Sequence, residues 1–147
     1  MNRSVFRPTL RVLGVPLHAM LVPFPIACFT GALMTDIVYA QTAQVQWTNF
    51  SQWFLAFGAI VGAIAGLFGL IDLLAAGRTR PTSGWFHFAL MAVVLILAAF
   101  NNFVHARDGW TGVVPTGLTL SAITVAVMIV GGFLGHRMAY RHIGEVA

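Results

Sequence analysis

Four apolar runs fill most of this chain, over about residues 17–40, 53–76, 85–104 and 114–139. A helix needs roughly 20 apolar residues to cross about 30 Å of hydrocarbon, and each run supplies that length. Inside lipid every backbone N–H and C=O must be satisfied within its own segment, which leaves the α-helix as the form such runs can take. Only 8% of the 147 residues are charged, against about 25% in a soluble domain. The sequence therefore predicts an all-α fold, a four-transmembrane-helix bundle, with residues 1–147 forming a single integral membrane domain. The connecting stretches are short: Gln41 to Gln52 reads as a polar turn, Gly77 to Gly84 holds Arg78, Arg80 and Pro81, and His105 to Gly112 holds Arg107 and Asp108.

Charge sets the expected orientation. All eight basic residues are arginine. Arg3, Arg7 and Arg11 precede the first run, Arg78 and Arg80 separate the second from the third, and Arg137 and Arg141 close the fourth. Only Arg107 falls on the opposite side. This bias places both termini in the cytoplasm by the positive-inside rule. The same clustering at helix ends argues against a nucleic-acid partner, because these arginines face lipid headgroups. Trp47, Trp53 and Trp110 fall near the outer boundary and Trp85 near the inner one, as interfacial aromatics do. Val38-Tyr39-Ala40 before Gln41 has the look of a signal-peptide cleavage site, but the apolar run is too long for a signal core, so a retained span is expected. Cys28 is the sole cysteine, which excludes an intrachain disulfide and a C-x-x-C-H haem attachment. No Gly-rich phosphate loop, nucleophile elbow or zinc-type cysteine cluster is present.

Histidine placement carries the functional signal. His18 and His87 lie 69 residues apart, each opening a run that crosses in the same direction. Two imidazoles thus reach one depth on one side of the bundle. Pro16, Pro23 and Pro25 bend the start of the first run: either the regular helix starts near Val22, or a kinked helix starts at Leu17. The same 69-residue shift matches Arg11 to Arg80, Leu21 to Leu90, Ile60-Val61-Gly62 to Ile129-Val130-Gly131 and Gly66 to Gly135. A tandem repeat of a two-helix hairpin would produce these matches, as would chance among apolar sequences. Under a repeat, parallel copies are related by an axis along the membrane normal, with His18 and His87 opposite each other.

Gly58, Gly62 and Gly66 recur on one face, with Gly69 close by and Gly131 and Gly135 in the fourth run. Such faces let membrane helices approach closely; a slot for a flat macrocycle is the functional version. Polar groups inside the membrane are costly and are site candidates. An inner layer holds His18, Asp72, His87 and His136, with His142 beyond it. An outer layer holds Asp36, Asn101, Asn102 and His105. Asp72 is placed either to pair with Arg78 or Arg80, to cap a helix end, or to accept an imidazole N–H and fix its ring. His136 beside Arg137 reads as interfacial. Asp36 and the asparagines either bond across helices or mark a proton or quinone site, and His105 has Asp36 and Asp108 as possible partners.

The stretch from His18 to Ala27 (HAMLVPFPIA), the Gly69-Leu70-Ile71-Asp72 end of the second run and His87 resemble the bacterial four-helix integral membrane family catalogued as domain of unknown function 2231. The resemblance covers nearly the whole chain. It implies four spans, a histidine, aspartate and proline pattern and a bacterial inner-membrane location, and it supplies no settled activity. The family commonly has His-Pro where this chain has His18-Ala19, a departure that loosens the bend after His18. Members occur with redox modules and near periplasmic sugar dehydrogenases, which implies electron transfer by association.

The expected function is a b-type haem-binding electron-transfer subunit linking a membrane or periplasmic redox partner and the quinone pool. His18 and His87 are the expected axial ligands through neutral imidazole nitrogens, with Asp72 behind them. Arg11, Arg80 or Arg137 would pair with haem propionates. The alternatives are a cofactor-free accessory or assembly subunit of a larger complex, and a small proton-coupled transporter that needs a homo-oligomer.

Overall fold

A computed structural model describes residues 9–77, 82–107 and 113–140. Arg3, Arg7, Arg78, Arg80, Asp108, Trp110, Arg141 and His142 lie outside the described residues. The chain opens with a two-residue pair of strands, β1 (Arg11–Val12) and β2 (Val15–Pro16), antiparallel with Arg11 opposite Pro16. Leu13 and Gly14 make the turn with φ of 51° and 82°, the left-handed pair that suits a tight hairpin. This hairpin is a short addition ahead of the expected all-α bundle. It is followed by α1 (Leu17–Leu21), α2 (Pro23–Thr42), α3 (Val45–Ala75), α4 (Thr82–His105), a kinked turn (Val113–Gly117) in which Val114 is extended, and α5 (Leu118–Tyr140). Four stretches are long and apolar enough to cross a membrane: Leu17–Thr42, Val45–Ala75, Ser83–His105 and Val113–Met138.

The first span is jointed at Val22. Its N–H still donates to the His18 carbonyl at 3.1 Å, and the Ile26 N–H reaches the Val22 carbonyl at a long 3.4 Å. Between them Pro23 and Pro25 have no N–H to give, so the ladder loosens. A five-residue helix carrying His18 is thereby set off from α2, combining the two sequence alternatives.

The second span departs from expectation at its start, at Val45 in place of Trp53. Residues 41–52 are polar but contain neither Gly nor Pro, so nothing in them stops a helix. The reversal takes place at Ala43, in a left-handed conformation with φ 53°, and at Gln44. The Ala43 N–H closes α2 on the Tyr39 carbonyl at 2.8 Å.

The helices form a ring. α2 packs on α3 and α5, and α4 packs on the same two, so α2 and α4 face each other across the diagonal. Phe29, Ala32, Leu55, Val94, Ala98 and Met128 form the central apolar cluster. Around it the usual sidedness is reversed. Phe86, Ile96, Phe103 and Ile129 are all more than 60% exposed, whereas Asp36 and Asn101 are 0% exposed and Ser51, Ser121 and Thr124 are at most 1%. Apolar outside and hydrogen-bonded inside is the arrangement lipid requires. The glycines serve this packing. A Cβ at Gly58 would fall 2.6 Å from Phe29 Cε1, and one at Gly62 would fall 2.7 Å from Leu95 Cδ2. Phe29 and Leu95 fill these two notches, while among the described residues the only neighbour within 4 Å of a Cβ at Gly66 would be Leu95 Cδ1 at 3.9 Å.

Candidate functional site

Two polar layers lie at opposite ends of α4. From His87 to His105 is eighteen residues, which at 1.5 Å per residue is about 27 Å.

The first layer is the histidine pair. The His18 and His87 ring centroids are 6.2 Å apart with planes at 88°. His18 Nδ1 lies 2.8 Å from the Ala65 carbonyl oxygen in α3, and His87 Nδ1 lies 2.8 Å from the Gly131 carbonyl oxygen in α5. A carbonyl can only accept, so each Nδ1 carries the hydrogen and each neutral ring keeps its lone pair on Nε2. Glycine makes room for both rings. A Cβ at Gly69 would sit 2.9 Å from His18 Nδ1, and one at Gly135 would sit 2.9 Å from His87 Cε1. Both histidines are half-buried.

The remaining members expected in this layer do different things. Asp72 is buried, but its Oδ1 accepts the backbone N–H groups of Thr9 at 2.6 Å and Leu10 at 3.3 Å. It therefore pins the N-terminal hairpin to the end of α3, and backbone carbonyls orient the imidazoles in its place. Arg11 is exposed on β1, in the hairpin that Asp72 anchors. His136 is exposed on α5, and Arg137 stacks over the Phe133 ring at 5.8 Å. Arg80 lies outside the described residues.

The second layer is a closed network. His105 Nε2 meets Asp36 Oδ1 at 2.8 Å, and His105 Nδ1 meets the Asn101 carbonyl oxygen at 3.0 Å. The carbonyl fixes a hydrogen on Nδ1, so the one remaining proton lies on the Nε2–Oδ1 axis between imidazole and carboxylate. Ser121 Oγ donates to Asp36 Oδ2 at 2.6 Å and accepts from Asn101 Nδ2 at 2.8 Å. One turn away Thr35 and Ser51 bond hydroxyl to hydroxyl at 2.6 Å. All four long helices contribute. Of the two partners open to His105 in the sequence, Asp36 is the one it meets. Asn102 stands apart from the network and lines a shallow concavity with Gln52, Trp53 and Ala56. The side-chain oxygens of Asn101 and Asn102 are buried and have no protein partner.

Thr35, Ser51, Ser121 and Thr124 were not among the residues singled out from the sequence. Two signals pointed to them or their setting. Ser121 and Thr124 are three apart on one helical face, and Asp36 and His105 are separated by 69 residues, the spacing of His18 and His87.

Among the described residues no three of His, Cys, Asp or Glu are grouped to hold a metal ion. A metal at the histidine pair would thus take two protein ligands there. Two imidazoles with Nε2 unpaired are a donor set by which His18 and His87 would hold a haem iron, which would supply one-electron chemistry. Two concavities among the described residues lie elsewhere, one at Asn102 and one at Pro23, Phe24, Ala27 and Cys28.

A family model described as a predicted membrane protein, DUF2231, matches residues 14–147. No curated protein and no solved structure matches the chain.

Proposed function

The chain belongs to the DUF2231 family of predicted membrane proteins, and we propose that it is a small membrane electron carrier holding a b-type haem between His18 and His87. One observation carries this reading: both imidazoles have Nδ1 tied to a helix carbonyl, at 2.8 Å in each case, while the ring centroids lie 6.2 Å apart with their planes nearly perpendicular. A ligand histidine is oriented in this way, with its second nitrogen donating to a carbonyl that fixes the tautomer and raises the basicity of the free nitrogen. When bound, the haem supplies one-electron chemistry. The chain holds the rings, sets their tautomer and covers them with lipid-facing helices. Arg11 lies on the hairpin just before His18 and is the described arginine best placed to meet a propionate. The electron partner is a membrane quinone or a second redox protein, exchanging at the histidine layer. The concavity at Asn102 is fifteen residues along α4 from His87, about 22 Å, and does not serve that exchange.

The test is a visible absorption spectrum of the full-length protein purified from cells supplied with haem. A Soret band that disappears in His18→Ala and in His87→Ala supports the reading. Colourless protein that is folded and monodisperse overturns it.

A second reading, a cofactor-free accessory subunit, draws on the same bonds. Each imidazole already links two helices, His18 joining α1 to α3 and His87 joining α4 to α5. Such links hold a bundle together with no metal. The transporter alternative has less support, because Asp36 is 0% and His105 5% exposed and neither lines the two concavities.

A further inference from the structure

Two registers run through the buried positions. In the first helix of each hairpin, Pro25, Phe29, Ala32, Thr35 and Asp36 are buried, and so are Val94, Ala98, Asn101, Val104 and His105, each 69 residues later. In the second helix of each hairpin, Ser51, Leu55, Gly58, Gly62 and Ala65 are buried, and so are Gly117, Ser121, Thr124, Met128 and Gly131, each 66 residues later. The polar contacts obey the same two shifts. His18 corresponds to His87 by 69, while the carbonyls they bond, Ala65 and Gly131, and the glycines that seat them, Gly69 and Gly135, correspond by 66. The three-residue difference lies in the connection: fifteen residues separate Asp36 from Ser51, and twelve separate His105 from Gly117. The ungapped matches of Ile60-Val61-Gly62 to Ile129-Val130-Gly131 and of Gly66 to Gly135 therefore fall outside the structural register.

We propose that the chain is two equivalent hairpins in tandem, meeting about a pseudo-twofold axis, and that the Asp36–His105 pair is the lock by which unlike halves recognise each other. The halves bring equivalent positions to the shared face, but most buried side chains on them differ, as with Phe29 and Ala98, Leu55 and Ser121, and Gly62 and Met128; among the equivalent positions that meet across the diagonal, the contrast lies in the polar pairs. On that face equivalent positions meet each other across the diagonal: His18 meets His87, and Asp36 meets His105. The first pair is like with like. The second differs between halves. Two copies of the first hairpin would bring two buried carboxylates together, and two copies of the second would bring two imidazoles together, which leaves a buried charge or an unpaired polar group in either case. Only first with second gives a carboxylate and an imidazole sharing a proton. Mismatches of this kind favour the correct partner.

Because the two positions are equivalent, exchange of their side chains should be tolerated. In the full-length protein, Asp36→His and His105→Asp are each expected to lower the thermal midpoint in detergent and to increase the oligomeric fraction. The double exchange is expected to recover at least half of the lost midpoint and the monodisperse state. An exchanged protein no better than the single variants overturns the lock. Should the variants not fold, a second measurement decides the symmetry. In a Cys28→Ala background, spin labels at the lipid-facing positions Phe24 and Ile60 are expected to show the same distance as labels at Val93 and Ala126, which are their counterparts at 69 and 66. Distance distributions that do not overlap overturn the equivalence of the two hairpins. Neither measurement depends on bound haem.

Discussion

The two polar layers of the bundle use histidine in opposite ways. At His105 both ring nitrogens are committed, one to the Asn101 carbonyl and one to Asp36, and the Ser121 hydroxyl and Asn101 amide N–H extend a buried network in which the Asn101 side-chain oxygen stays without a protein partner. At His18 and His87 only Nδ1 is committed, and the rings are half-buried near the ends of their helices. A closed network contributes stability and partner choice, because every broken link leaves a buried group unsatisfied. A half-committed pair leaves lone pairs for chemistry. The comparison teaches that burial with both ring nitrogens paired marks the layer that organises the bundle, whereas the proposed binding layer keeps one ring nitrogen unpaired.

The sharpest way to break this contrast is to remove one partner of the closed layer. Asp36→Leu strips His105 Nε2 of its partner and His105→Leu strips Asp36 Oδ1 of its partner, each still buried, with an expected loss of about 3–5 kcal/mol. Unfolding of the purified protein in mixed micelles measures it; a loss no larger than that of the histidine-pair variants below would erase the distinction between layers. Ser121→Ala comes next. It removes the donor to Asp36 Oδ2 and the acceptor for Asn101 Nδ2 together, and interhelical hydrogen bonds in membranes are worth about 0.6–1.7 kcal/mol each. A loss of about 1–3 kcal/mol in the same assay is expected.

In the open layer Gly135→Ala sharpens the comparison. The added methyl must displace the His87 ring, which its Cβ would approach to 2.9 Å. The Nδ1 bond to Gly131 then lengthens, at a cost of about 1 kcal/mol. Nitrogen NMR of labelled histidine reads the altered Nδ1 environment, with His105 as the unchanged internal control. The smallest stability effect belongs to His18→Ala. It forfeits one bond, to a carbonyl already within a helix, so about 0.6 kcal/mol is expected. The same variant is expected to abolish any Soret absorption, which separates a binding role from a structural one.

Much of this architecture is legible in the residues. Four spans follow from run length, and the matched depth of His18 and His87 follows from two runs crossing in one direction. Asp36 was one of two partners considered for His105. The start of α3 was not legible, because Gln, Thr and Asn between 41 and 52 look like a loop while lacking any residue that halts a helix. Ser51 is the instructive case: polar in sequence, it turns inward to Thr35. Nor could sequence assign Asp72 to the backbone of Thr9 and Leu10, since that contact depends on a two-residue hairpin folding back at Leu13 and Gly14.

The residues by themselves determined that this chain lives in lipid, how many times it can cross, and which polar groups share a depth, because hydrocarbon thickness and the cost of burying polar groups act on each segment alone. Only the tertiary structure decided which carbonyl holds each imidazole and that Asp36 meets His105. Those choices depend on rotation and approach between helices, and any helix offers a carbonyl every residue, so the partner is fixed by packing and not by composition.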